Sequence, residues 1–159
     1  MKKIKSALIS VSDKSNLKPL LKTLKKNKIN LISSGGTFRI IKKLRFKCTE
    51  VSDYTGFKEI LDGRVKTLHP LIHAGILADK ENSSHLKQLK QLGISSIDLV
   101  VINLYPFEKI STKRKSSKTE CIENIDIGGP SMIRGAAKNY KSTAILTSPE
   151  QYENFIREA

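Results

Sequence analysis

The run IDLVVINL at positions 97–104 is apolar almost without a break, and it lies among segments whose apolar residues recur at helical spacing. A strand with one wet face alternates polar and apolar residues; a strand without alternation has to be covered on both sides. The run therefore demands a sheet with helices on each face, and the chain supplies both. SALISVS (6–12), NLIS (30–33), CTEV (48–51) and STAILT (142–147) read as further short strands. Between them lie helical stretches. Residues 16–27 carry Leu17, Leu20, Leu21 and Leu24 on one face, and Pro19 is tolerable only in a first turn, which puts the start near Ser15. Residues 38–44 turn Ile40, Ile41 and Leu44 inward, 85–93 close at Gly93, and 130–139 begin at Pro130. In SPEQ (148–151), Ser148 caps a last helix, Pro149 opens it and Gln151 reaches back, with Tyr152, Phe155 and Ile156 on one face. That face reads equally as a short terminal helix or as the start of a longer polypeptide. The expected architecture is α/β: three layers, a mostly parallel sheet with helices on both faces, in one domain over 1–159. The segment 109–118 is the one candidate for a flexible loop.

The formal charge of +14 suits anionic partners. Much of it sits on lysines at helical spacing or in KISTKRKSSK (109–118), and no aromatic residues are interleaved for stacking on bases, so a solvated basic face is expected and a nucleic-acid partner is not. No run approaches the ~20 apolar residues of a membrane span, and the Lys-rich start lacks a signal-peptide pattern. Cys48 and Cys121 form no CxxC pair, so reduced thiols in a cytoplasmic protein are expected, and neither has a local His/Asp arrangement that would make it a nucleophile. His69 and His73 are four apart, a metal spacing only on a helix; Pro70 intervenes and no third ligand is evident, so no metal is expected.

In parallel sheets, ligands bind beyond the carboxyl ends of the strands. Ser12 and Lys14 follow the first strand, SSGGT (33–37) the second, and NLYPF (103–107) the strongest; NIDIGGPS (124–131) opens the helix bearing Lys138. SSGGT reads either as an ordinary turn or as a phosphate cradle, with the amides of Gly35 and Gly36, the hydroxyls of Ser34 and Thr37, and a helix dipole behind them. It is neither a Walker loop nor GxGxxG, which argues against a nucleoside triphosphate or a dinucleotide. Lys14 at a helix start opposes the dipole, a conflict that a bound phosphate would resolve. Asp126 is either a helix cap or a functional carboxylate, Lys138 either snorkels to solvent or serves a site, and Tyr105 is either a core aromatic with its hydroxyl at the surface or a site residue. LDGRVKTLHP (61–70) holds Arg64, Lys66 and His69 in a stiff ribbon framed by Gly63 and Pro70.

Taken in order, SVSDK, SSGGT, EVSDYTGFKEILDGRVKTLHPLIHAGIL, NLYPF and NIDIGGPSMIRGAAKN resemble the inosine monophosphate cyclohydrolase domain of bifunctional purine biosynthesis proteins over essentially all 159 residues. The resemblance implies a methylglyoxal synthase-like fold, with a formyltransferase domain outside this chain. It implies an enzyme of the cyclic amidine hydrolase class that closes the second purine ring, turning the formylated aminoimidazole carboxamide ribonucleotide into inosine monophosphate and water, with no cofactor and no metal. By this likeness the nucleotide-binding positions fall on Ser12, Lys14, Ser34, Gly35, Gly36, Thr37, Arg64, Lys66, Thr67, Asn103, Asp126, Ile127 and Gly128, and the catalytic set on Lys66, Tyr105, Asp126 and Lys138. Lys66 would meet the oxyanion with Tyr105 donating nearby, and Lys138, balanced by Asp126, would shuttle the proton. The ribbon then becomes an active-site strip, with His69 packing behind it. The implied partner is a small-molecule nucleotide monophosphate in the cytoplasm, with no nucleic acid and no membrane; a homodimer is compatible with this reading.

Overall fold

The computed structural model describes residues 4–159. Five strands, β1 (Ser6–Val11), β2 (Asn30–Ser33), β3 (Thr49–Glu50), β4 (Leu99–Asn103) and β5 (Ala144–Leu146), form one sheet in the order β3-β2-β1-β4-β5. Every pairing is parallel, so the sheet is wholly rather than mostly so. The helices are α1 (Leu17–Lys26), α2 (Gly35–Lys43), α3 (Val51–Thr55), α4 (Pro70–Leu77), α5 (Ser83–Gln91), α6 (Phe107–Ser111), α7 (Lys118–Glu123), α8 (Gly128–Lys138) and α9 (Gln151–Glu158), with one 3-10 turn at Leu61–Gly63.

The lack of alternation in β4 has the expected consequence. Leu99 and Val101 point with Ala7, Ile9 and Val11 into a core closed by the leucines of α1, Ile41 of α2, and Tyr152 and Phe155 of α9. Val100 and Ile102 point the other way with Leu8, against Val51 of α3, Ile72 and Ile76 of α4, and Met132 and Ala136 of α8. Burying one such side chain stabilises the fold by about 1.5–3 kcal/mol, and both faces of the sheet draw on it.

Several boundaries differ from the sequence reading. Helix α2 begins at Gly35, so the glycine pair lies in its first turn. Helix α8 begins at Gly128, with Pro130 still inside the first turn where no intrahelical N–H is lost. Helix α9 starts at Gln151 rather than at Pro149, and the Gln151 side chain reaches back as expected to accept from the N–H of Thr147 (2.6 Å) and Ser148 (3.3 Å). Residues 109–111 belong to α6 and Lys118 opens α7, which shortens the supposed loop to 112–117. Helix α4 escapes a periodicity search because PLIHAGIL is apolar nearly all round, as suits a helix covered on several sides. Pro70, read above as a breaker, is its first residue. No helix among the described residues is long and apolar enough to cross a membrane.

Candidate active site

The strand order places β1 beside β4, and the chain leaves their ends in opposite directions across the sheet. Such a switch point opens a crevice beyond the strand termini. Asn103 ends β4 in register with Val11. Its Oδ1 accepts the N–H groups of Ser12 and Asp13 at 2.7 Å each, and its Nδ2 donates to the Asp13 carbonyl at 2.8 Å. The loop carrying Lys14 is thereby fixed. The Lys14 ammonium donates to the carbonyls of Val11 (3.2 Å) and Ser12 (3.0 Å), and α1 begins only at Leu17. The expected conflict with the α1 dipole is thus already relieved by the carbonyl end of β1 (a ligand is not needed for that).

In the neighbouring loop, Thr37 Oγ1 accepts from Val11 N–H and donates to the Val11 carbonyl, both at 3.0 Å. Its one hydroxyl hydrogen is engaged, so the Thr37 side chain ties α2 to β1, and what Thr37 can offer a phosphate is its first-turn N–H. Ser34 is different: its Oγ is buried and has no hydrogen-bond partner. It stands at the start of α2, whose first-turn N–H groups have no intrahelical acceptor. Ser34, Gly36 and Thr37 line the same cleft as Lys14, which puts a hydroxyl and first-turn amides on one side of it.

The ribbon closes the third side. Ile60 and Val65 form an antiparallel bridge across a turn in which Leu61, Asp62 and Gly63 all take the left-handed conformation, with φ of 53°, 52° and 89°. For the two non-glycine residues this costs about 1 kcal/mol or more each, strain of the kind that gathers at functional sites. The turn delivers Lys66 to the cradle, its Nζ 3.3 Å from the position a β-carbon on Gly35 would take. Arg64 instead forms an exposed ion pair with Glu123 of α7, which holds the Glu123 carboxyl below and the guanidinium above their ordinary pKa values, chiefly through that hydrogen bond. Thr67 is buried against α8; a β-carbon on Gly128 would lie 2.5 Å from its Oγ1. His69 caps α4, its Nδ1 accepting from Leu71 N–H at 3.2 Å, with its ring against Phe57. His73 lies on α4, where burial pushes its imidazole pKa down. No group of three or more His, Cys, Asp or Glu side chains converges among the described residues.

Asp126 both bonds to the start of α8 and lines the crevice. Its Oδ1 accepts from Gly129 N–H at 2.8 Å at the start of α8, and the side chain also faces the crevice. A β-carbon on Gly129 would meet Asp126 Oδ2 at 2.6 Å, so the glycine is what lets the carboxylate sit there. Tyr105, just past β4, stands half-exposed on the rim.

Together these elements enclose a cleft of about 520 Å³, within the usual range for small-ligand sites. Of the sequence-derived residues, Ser12, Lys14, Ser34, Gly36, Thr37, Arg64, Lys66, Thr67, Asn103, Tyr105, Asp126, Ile127 and Gly128 line it, with Gly35 just behind. Lys138 does not. It is exposed in the last turn of α8, ten residues and about 15 Å along the helix from Gly128. Four carboxylates went unnoticed in the sequence, Asp62 and Glu123 in the cleft wall and Glu50 and Glu59 behind it; Glu123 lies 59 positions from its partner, in a segment without periodicity.

The model of the MGS-like domain family matches residues 16–131. The bifunctional purine biosynthesis protein PurH of Thermoanaerobacter sp. (strain X514) is 54% identical over 154 residues, 97% of this chain and 30% of that protein. PurH of Prochlorococcus marinus (strain NATL2A) is 55% identical over 151 residues, 94% of this chain and 29% of that protein. The chain thus spans about 30% of the length of these curated relatives. Among solved structures, the crystal structure of ForH superposes with a TM-score of 0.83 at 33% identity, covering 97% of this chain and 78% of ForH.

Proposed function

Since the chain belongs to the family of MGS-like domains, we propose that it is an inosine monophosphate cyclohydrolase acting in purine biosynthesis. Its substrate is the formylated aminoimidazole carboxamide ribonucleotide, and residues 1–159 constitute one catalytic domain. The observation that carries the reading is the continuity of a single cleft from the Ser34–Gly36 cradle to Lys66, Tyr105 and Asp126. The purine-biosynthesis names of the relatives support it.

The reaction joins two unreactive groups. The carboxamide nitrogen bonds to the formyl carbon and gives up one proton, the formamide nitrogen gives up a second, and both leave with the formyl oxygen as water. Holding the two groups face to face removes roughly 7–11 kcal/mol of barrier in favourable intramolecular cases. The ribose phosphate is the handle. Ser34 Oγ, the first-turn amides of α2 and the remaining Lys14 hydrogen bind it, while Ser12, Asn103 and Thr37 hold those groups in place. At the far end Arg64, Thr67, Ile127 and Gly128 border the base.

Lys66 supplies the charge for the oxyanion that develops on the formyl oxygen, and Tyr105 donates beside it. Asp126 receives the amide proton through its free oxygen. Lys138, outside the cleft of this chain, is not assigned the shuttle. The reaction proceeds in the cytoplasm on a free nucleotide, without metal, cofactor or nucleic acid, and a homodimer is compatible with it. The test is an absorbance assay of ring closure with the formylated ribonucleotide on the purified chain, without added metal. Formation of inosine monophosphate is expected; a chain that binds the nucleotide and never closes it overturns the proposal.

A further inference from the structure

Lys66 stands in a wall between two hollows. In front is the cleft; behind it lies a smaller hollow of about 160 Å³ bounded by Glu50, Phe57 and Glu59 among others, and Ser34 and Lys66 face both. Glu59 faces only the rear one. Its Oε2 lies 3.9 Å from Lys66 Nζ. The pairing follows from register: with Ile60 bridged antiparallel to Val65, positions 59 and 66 are the next facing pair, and opposite charges there attract. Gly63 makes the approach possible, because a β-carbon at that position would stand 2.7 Å from Glu59 Oε1 and 3.3 Å from Lys66 Nζ.

We infer that Glu59 is a positioning residue for ring closure, holding the Lys66 ammonium from the side away from the substrate. The inference rests on the function proposed above. A lysine ammonium is a mobile point charge with three donors on a four-carbon stem. To stabilise a developing oxyanion it has to be oriented before the reaction, since reorganisation at that moment would forfeit the gain. At 3.9 Å the carboxylate behind the wall is within ion-pair reach but beyond hydrogen-bond reach, so it holds the position of the charge and leaves all three donors for the cleft. Glu59 touches neither substrate nor reacting atoms, so it acts through Lys66 alone.

The test compares Glu59→Gln, Glu59→Asp, Lys66→Met and the double variant Glu59→Gln/Lys66→Met by steady-state ring closure, with melting temperatures as the folding control. Removing an oxyanion donor lowers kcat by about 10²–10³-fold, so Lys66→Met falls in that range, and loss of its support costs less, about tenfold. Glu59→Gln should lower kcat with little change in KM, Glu59→Asp should recover most of the loss, and the double variant should be no slower than Lys66→Met, because the two residues act as one unit. If the parent chain is active and Glu59→Gln matches it, or raises KM alone, or adds its full loss to that of Lys66→Met, the inference fails by itself. An inactive parent chain overturns the proposed function and this inference with it.

Discussion

The Lys66 ammonium lies 3.3 Å from the point where a β-carbon on Gly35 would sit, so the first residue of α2 and the central cation of the ribbon are close neighbours. Gly35 also has φ of +53°, a conformation that costs an L side chain about 1 kcal/mol. Gly35→Ala is therefore expected to lower the melting temperature by a few degrees while reducing kcat/KM for ring closure by about tenfold or more, a misplacement of the ammonium acting on the transition state. Parallel thermal melts and steady-state kinetics check this. Parent kinetics in Gly35→Ala would mean that Lys66 moves aside without consequence.

Arg64 and Glu123 join the ribbon to α7 across the cleft mouth. Both are exposed, so the pair contributes little to stability. Its larger effect is on binding, because an anionic substrate competes with Glu123 for the guanidinium. Glu123→Gln is expected to lower KM for the nucleotide about threefold at low salt, with the difference shrinking as salt screens the exposed charges. The acid dependence has a definite sign. The folded pKa of Glu123 is depressed, so whatever the pair contributes is present above the ordinary carboxylate pKa and lost as pH falls through the lowered value. Titrating the melting temperature of the parent against Glu123→Gln should show the two curves converging in acid.

How much of this was legible in the sequence depended on how local each cause is. The doubly covered strand β4 and the leucine face of α1 announce themselves, because burial alone dictates their patterns. So did most of the cleft, since the loops after β1, β2 and β4 fall at the carboxyl edge of any parallel sheet. Helix α4 did not, because a helix apolar all round has no stripe to read and Pro70 serves equally as breaker or first residue. The partners of hydroxyls and charges were illegible too. Thr37 bonds to Val11, and Arg64 to Glu123, through contacts set by tertiary register. Lys138 entered through resemblance alone, and no local pattern in the sequence told that it stands ten residues along α8 from Gly128, outside the cleft lining of this chain.

Asp98 anchors the opposite end of the sheet. Only 8% exposed, it accepts the N–H groups of Lys5 (2.6 Å) and Ser6 (3.0 Å), and the ammonium of Lys80, which also donates to the Ser142 carbonyl. Asp98→Ala leaves a half-buried cation and two amides without their acceptor, and breaking a buried pair from one side costs about 3–5 kcal/mol. Chemical denaturation should show a loss of this size. Ring-closure kinetics measured below the melting transition should stay near those of the parent, because Asp98 precedes β4 and the cleft lies beyond its other end.

Ser34 gives the prediction in which stability and function move apart. Its Oγ is buried without a partner, and an unsatisfied buried hydroxyl costs the free chain about 1–3 kcal/mol. Ser34→Ala removes that penalty and leaves no large void, so the ligand-free variant should melt higher than the parent. If the hydroxyl waits for a phosphate oxygen, the same change removes one donor from the bound state, and KM for the nucleotide should rise several-fold with kcat much less affected. Protection against melting by inosine monophosphate reads the same loss without turnover, since a ligand stabilises according to its affinity for the folded state. A variant that melts lower, or that binds the nucleotide as tightly as the parent, would show that Ser34 serves the loop rather than the anion.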